Sequence, residues 1–270
     1  MKISDFEYDG LTLETFGYTV CSFSSTDEET IPSPSNITFN TISMNFGTRN
    51  YLTSAPYTEA LTAKFQICKN TCTNEELKIT DEEIREITRW LQRKEFKEIR
   101  LIDLDNNDYF TNGSFNVSCI YYNDICYGFE IELQTDKPYL YAETVEVNFD
   151  ISNSGESYIM VDESDDIDMI TPYVEIKITA GNSGDLKIQN SFTGNETVIK
   201  NCQSEEIITF DYPAIKSSLE NSHKIANDFN WEFLRIGNTY FDRENQLTFS
   251  IPCSVKIKYS PSVKLGLQGG

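Results

Sequence analysis

Residues 80–96 read TDEEIREITRWLQRKEF. Ile84, Ile87 and Leu91 fall at i, i+3, i+7 spacing with Trp90 beside them, which is one face of an α-helix. Thr80 stands where an N-cap belongs, and Glu83 follows three residues later, as a capping box requires. Asp81, Glu82 and Glu83 occupy the first turn, while Arg89, Arg93 and Lys94 crowd the last. That charge order complements the helix dipole at both ends. The pattern predicts a helix over 81–94, alone in a chain whose other signals are those of strands.

Outward from the helix, apolar and polar residues alternate. Leu61, Ala63, Phe65 and Ile67 point one way, and Thr62, Lys64 and Gln66 the other. Tyr127, Phe129, Ile131 and Leu133 repeat the pattern before Pro138. Val145, Val147 and Phe149 follow, then Val174, Ile176 and Ile178, Leu186 and Ile188, and finally Val255, Ile257 and Tyr259. Such alternation means antiparallel sheets with one wet face. Thr111-Asn112-Gly113 and the GNSG segment Gly181–Gly184 carry turn chemistry, the second placed as a hairpin between two strands. Helical signals cease at Pro138–Tyr141. The expected fold class is therefore mainly β: a domain over 1–140 carrying the helix, and a β-sandwich over 141–270. The acidic run Asp162, Glu163, Asp165, Asp166 and Asp168 reads as a solvated loop, and Gly266–Gly270 as a frayed tail.

The chain has 270 residues, 17 Phe and 15 Tyr, enough large side chains for a real core. A net charge of −21 argues against nucleic-acid binding, which needs clustered Lys and Arg, and against docking on anionic membranes. The seven cysteines, Cys21, Cys68, Cys72, Cys119, Cys126, Cys202 and Cys253, are odd in number and scattered, so reduced structural thiols are expected. Cys68/Cys72 and Cys119/Cys126 lie in apparent strands rather than zinc knuckles. The opening, with Asp5, Glu7 and Asp9 close behind Lys2, has no apolar signal core, which leads to the expectation of assembly in a cytoplasm. Thr30–Thr48 is uncharged but too polar to span a membrane. The sequons at Asn36, Asn112, Asn116 and Asn195 are read as chance matches in an Asn-rich chain.

No constellation for catalysis emerges. His223 is the single imidazole and lies in the polar stretch SLENSHK, which reads as a surface loop. Carboxylates are so numerous that no pair stands out. Asp103, Asp105 and Asn107 begin a calcium-loop pattern, but Asp108 replaces the required Gly and Ser114 the closing Glu. Phosphate-cradling glycine loops are missing. The expectation is no catalytic, cofactor-binding or metal-binding residue. What remains is a basic cluster at the helix end, Arg89, Arg93, Lys94, Lys97 and Arg100, read either as dipole compensation or as a contact face for an acidic partner.

With these pieces in view the chain resembles the distal tail proteins of long-tailed siphophages. The resemblance runs through Tyr8-Asp9-Gly10 and Phe16-Gly17, ITRWLQRKEFK at Ile87–Lys97, and Asn112 to Pro138-Tyr139. It continues in the TGN turn at Asn195, Asn227-Asp228-Phe229, Phe233-Leu234-Arg235-Ile236, and the strands Asn245–Ile251 and Ser254–Tyr259. One departure is Leu234, where related sequences often carry Pro. The resemblance implies a barrel-like ring-forming N-terminal domain and a galectin-like sandwich. It also implies a homohexamer around the DNA channel at the tail tip. Such a ring joins the tail tube protein to a tail-associated hub protein and can hold a receptor-binding protein, with no specific nucleic-acid binding and no membrane insertion. The alternative is a lectin-like module for host sugars, with Trp231 or Tyr240 as the stacking ring; a core role for Trp231 between Phe229 and Phe233 competes with it.

Overall fold

The computed structural model describes residues 2–23, 35–43, 49–74, 76–103, 108–167 and 169–269. Two compact units emerge: Met1–Ala142 together with Val263–Gly270, and Glu143–Ser262. The last residues thus return to the first unit. Among the described residues one helix exceeds a single turn, α1 (Asp81–Leu91), and strands dominate the remainder.

The first unit is built on β1 (Lys2–Tyr8), β2 (Leu11–Thr12), β3 (Tyr18–Cys21), β4 (Asn40–Ser43), β5 (Asn50–Ser54), β6 (Thr62–Lys69), β7 (Lys97–Asp103), β8 (Asp108–Tyr122), β9 (Ile125–Thr135) and β10 (Leu140–Tyr141). Its main sheet runs β2-β1-β7-β8-β9-β6-β3. The end strands β2 and β3 are joined by one 3-10 turn, Glu14–Phe16, so the sheet curls back on itself. Gly17 closes that turn at φ 74°, a left-handed conformation that favours glycine. Inside lie Phe6, Tyr8, Phe65, Phe115, Phe129 and Leu133.

Helix α1 covers this core with Ile87, Trp90 and Leu91. Burying each of the two aliphatic side chains contributes roughly 1.5–3 kcal/mol. The Trp90 ring stacks on Phe16 at 4.5 Å, and its Nε1 donates to the Tyr8 carbonyl at 2.9 Å. The capping box is formed: Thr80 Oγ1 accepts from the Glu83 amide, and Glu83 Oε2 accepts from the Thr80 amide. The helix ends at Leu91, short of the expected 94. Ser114 of β8 takes over the backbone there: its Oγ donates to the Arg93 carbonyl at 2.7 Å and lies 3.3 Å from the Arg93 amide.

Other sequence expectations fail in this unit for tertiary reasons. Thr111-Asn112-Gly113 is not a turn but the interior of β8, pairing with β7 and β9. Gly113 is required there by crowding, since a Cβ would lie 2.7 Å from the Gln134 carbonyl oxygen. The tail is not frayed: Leu267 is buried, and β21 (Gln268–Gly269), after a two-residue β20 (Ser262–Val263), runs parallel to β1. Cys68 is in β6, but Cys72 is in the turn after it. Of the calcium-loop pattern, Asp105 and Asn107 lie outside the described residues, while Asp103 ends β7, Asp108 begins β8 and Ser114 lies within β8.

The second unit contains β11 (Val145–Ile151), β12 (Ser157–Val161), β13 (Tyr173–Ile178), β14 (Gly184–Asn190), β15 (Glu196–Cys202), β16 (Ile207–Asp211), β17 (Ala214–Ser217), the single-turn α2 (Ile225–Asp228), β18 (Glu244–Phe249) and β19 (Cys253–Tyr259). Two sheets, β11-β19-β13-β16-β17 and β12-β18-β14-β15, share one core that includes Ile176, Ile188, Phe210, Leu247 and Ile257. This is a β-sandwich. The GNSG segment links β13 to β14, which lie in different sheets, so it is a crossover and not a hairpin. Residues 191–195 supply the actual β14–β15 hairpin, with Gly194 at φ 71°.

Candidate functional site

The sequence points to the basic end of α1, and the structure gives it a shape. A groove of about 650 Å³ runs beside the helix, lined by Arg85, Thr88, Arg89, Gln92, Arg93 and Lys94 on one side and by Ser114, Phe115, Asn116 and Gln134 on the other. The membership differs from the sequence cluster. Arg85 belongs to the groove although the cluster omits it. Lys97 and Arg100 do not line it; they pair with Glu95 at 3.1 Å and Glu98 at 3.0 Å. Arg93 is half committed: its Nε donates to the Trp90 carbonyl, and its Nη2 lies 3.5 Å from Asp9. The groove therefore offers helix-borne cations over a partly apolar floor, in a chain of net charge −21. Such a surface suits a carboxylate-bearing protein segment.

At the other end of α1, Lys69 of β6 is buried and donates to the Lys78 carbonyl at 2.7 Å. Its Nζ is also 2.7 Å from Glu83 Oε1. Burial raises the Glu83 carboxyl, but hydrogen bonds from Lys69 and Thr80 and the Lys69 charge outweigh it, leaving the group below its ordinary range. The pair clamps the start of the helix to the sheet and so fixes where its basic end emerges.

A second exposed feature of the same unit is the hairpin of β4 and β5, a separate two-stranded sheet. Phe39, Ile42, Tyr51 and Leu52 are exposed on or beside it. Among the described residues these strands pair only with each other, and a two-stranded ribbon is marginal in water.

In the second unit, several residues differ from their sequence reading. His223 is buried, not on a surface loop. Its Nδ1 is 2.6 Å from Glu206 Oε1, an oxygen that also accepts from Ser217 Oγ at 2.5 Å, while Glu206 Oε2 accepts the Gln203 amide. Glu206 is fully buried, so the cluster ties the Ser217–Asp228 connection to the sandwich. The acidic run is solvated only on alternate residues: Glu163 and Asp165 are exposed, whereas Asp162 and Asp166, with Ser164 between them, are buried, held by Asn238 Nδ2, which donates to Asp162 Oδ2 at 2.7 Å and to the Ser164 and Asp166 carbonyls. Asp168 lies outside the described residues. Trp231 is 57% exposed, which overturns its core assignment; Phe229 and Phe233 are the buried members of that stretch. Tyr240 is exposed as well.

All seven cysteines are free thiols. Burial pushes Cys202 and Cys253 up to about 12, which keeps them protonated packing groups. Among the described residues no cluster of three or more His, Cys, Asp or Glu side chains could hold a metal ion. No helix among them is long and apolar enough to cross a membrane.

This two-unit β architecture has counterparts. The chain belongs to a family of phage tail proteins: residues 1–137 match the model of a phage tail protein N-terminal domain, and residues 139–259 that of a phage tail C-terminal domain. Its fold is that of a siphophage distal tail protein. The crystal structure of the SPP1 Dit protein, described as a paradigm of the hub adsorption apparatus in phages infecting Gram-positive hosts, aligns over 96% of this chain and 99% of that one. The TM-score is 0.66 at 11% identity. A chain of the phage P2 baseplate in its activated conformation aligns over 97% and 99% at 11% identity, with a TM-score of 0.45. A comparison with curated proteins by sequence finds no match.

Proposed function

We propose that this protein is a structural adaptor of the tail tip, in which six copies of the first unit close a ring around the DNA channel. The ring joins the tail tube protein to the tail-associated hub protein, and the sandwich, galectin-like in architecture, offers a place where a receptor-binding protein can attach. The protein acts by assembly rather than catalysis. It is put together in the host cytoplasm and ends in the virion. The observation that carries this reading is the whole-length fold similarity to a hub adsorption protein within a phage tail family. The groove lined by Arg85, Arg89 and Lys94 supports it, because it is a cationic surface that a neighbouring acidic copy would cover; among the described residues β4 and β5 pair only with each other and add exposed apolar side chains. A strongly acidic lumen would let DNA pass without adhering.

The test is mass by light scattering on the purified chain, alone and with the tube and hub proteins. A hexamer-sized particle is expected. Arg89→Glu with Lys94→Glu, both off the Lys97 and Arg100 ion pairs, is expected to abolish the ring and leave a folded monomer. A strict monomer at high concentration that assembles on neither partner would overturn the proposal; normal rings from the double variant would remove the groove from it.

A further inference from the structure

Four aromatic rings of the second unit touch in series. Trp231 packs on Phe229 at 5.5 Å between centroids, Phe229 on Phe233 at 5.1 Å, and Phe233 on Tyr212 at 5.2 Å. The middle pair is buried and backed by Phe210 of β16, while the end rings, Trp231 and Tyr212, are 57% and 65% exposed. The row reaches from the edge strand β15, bridged by Phe229 to Ile199, to the β16–β17 turn that carries Tyr212.

The exposed tryptophan is held there against local preference. Its φ is +63°, a left-handed conformation that costs a bulky residue about 1–2 kcal/mol. Asn230 enforces it: Oδ1 accepts from the Val198 and Glu232 amides, Nδ2 donates to the Glu196 carbonyl, and the backbone amide donates to the Val198 carbonyl. A strained aromatic kept in water by a rigid hydrogen-bonded frame is the kind of outlier that marks a binding position.

We infer that Trp231 and Tyr212 form a platform for a neutral oligosaccharide. A sugar ring presents a face of C–H groups that packs on an aromatic face while its hydroxyls stay wet, so single exposed rings separated by polar surface suit it. The side chains around the rings are exposed and polar, namely Asp211, Asn230 and Glu232. The Asp211 and Glu232 carboxylates accept hydroxyl hydrogen bonds and repel anionic sugars. A protein partner would favour a contiguous apolar patch. Those conditions are better met by Tyr240 and Phe241, adjacent rings that are 81% and 93% exposed. The inference does not depend on ring assembly.

The test uses the full chain on an array of short neutral hexose and N-acetylhexosamine oligosaccharides, followed by iodide quenching of tryptophan emission in the presence of each retained sugar. The chain has two Trp, of which Trp90 is buried, so quenching and its protection by sugar report Trp231. Trp231→Gly removes the ring and relieves the positive φ, so it should remain folded and bind roughly ten- to a hundredfold more weakly. Tyr212→Ala should weaken binding in the same direction, while Tyr240→Ala should not. The inference falls if no neutral sugar is retained, or if Trp231→Gly binds as the parent does. It also falls if Trp231→Gly loses a tail-protein partner while sugars are ignored by both chains.

Discussion

Replacing Glu83 by Gln should loosen the start of α1 by an amount the structure lets us work out. Glu83 Oε1 is 2.7 Å from Lys69 Nζ, and the Lys69 side chain is only 9% exposed against 34% for Glu83. Removing one partner of a fully buried ion pair costs about 3–5 kcal/mol, because the other charge is stranded. Water reaches Glu83, so screening reduces this to roughly 1.5–2.5 kcal/mol. Glu83→Ala also removes the capping contacts to Thr80, for about 1 kcal/mol more. Lys69→Met in the Glu83→Gln background should recover much of the loss, since no charge is then buried; a coupling of about 1–2 kcal/mol is expected. The assay is urea unfolding followed through Trp90 in a Trp231→Phe background, which reports the first unit alone. The pH dependence has a definite sign. The Glu83 carboxyl lies below its ordinary value of 4.5 in the folded protein, so its contribution is complete above that value and is lost as pH falls through the lowered one. The gap between parent and Glu83→Gln should be flat at neutral pH and close in acid. A Glu83→Gln chain within about 0.5 kcal/mol of the parent, the range of ordinary surface changes, would refute the reasoning.

Gly113→Ala should destabilise the first unit by about 2–3 kcal/mol, because the new methyl meets the Gln134 carbonyl oxygen at 2.7 Å inside a paired strand; the same urea assay measures it, and a neutral result would contradict the crowding. Glu206→Ala should cost the second unit about 3–5 kcal/mol by stranding His223 Nδ1, Ser217 Oγ and the Gln203 amide, read from Trp231 emission in a Trp90→Phe background. A loss under about 1 kcal/mol would show that the cluster is not a structural clamp.

Much of the fold is written in short stretches of sequence. The capping box at Thr80 and Glu83, the apolar face of Ile84, Ile87 and Leu91, and the alternation along β6, β9 and β19 each depend on residues a few positions apart. A mainly β chain with one substantial helix follows from those periods alone. The basic groove was half legible: its helix cations are visible in sequence, but the pairing of Lys97 and Arg100 with neighbouring carboxylates appears only once β7 is placed.

The remainder is decided by contacts between distant residues. Asp162 looks solvated until Asn238 reaches it across 76 positions, and His223 looks exposed until Glu206 meets it from 17 positions away. Glycines misled in both units: Gly113 is kept by crowding inside a strand, and the GNSG segment passes between sheets instead of folding back. Trp231 seemed a core residue by its aromatic neighbours, yet Asn230 holds its backbone so that the ring faces water. Polar burial and aromatic exposure depend on which partner the fold delivers, whereas the helix and the strands carry their own period. The sequence by itself thus determined the elements and their class; the tertiary structure alone decided which charges are buried and which rings are left exposed.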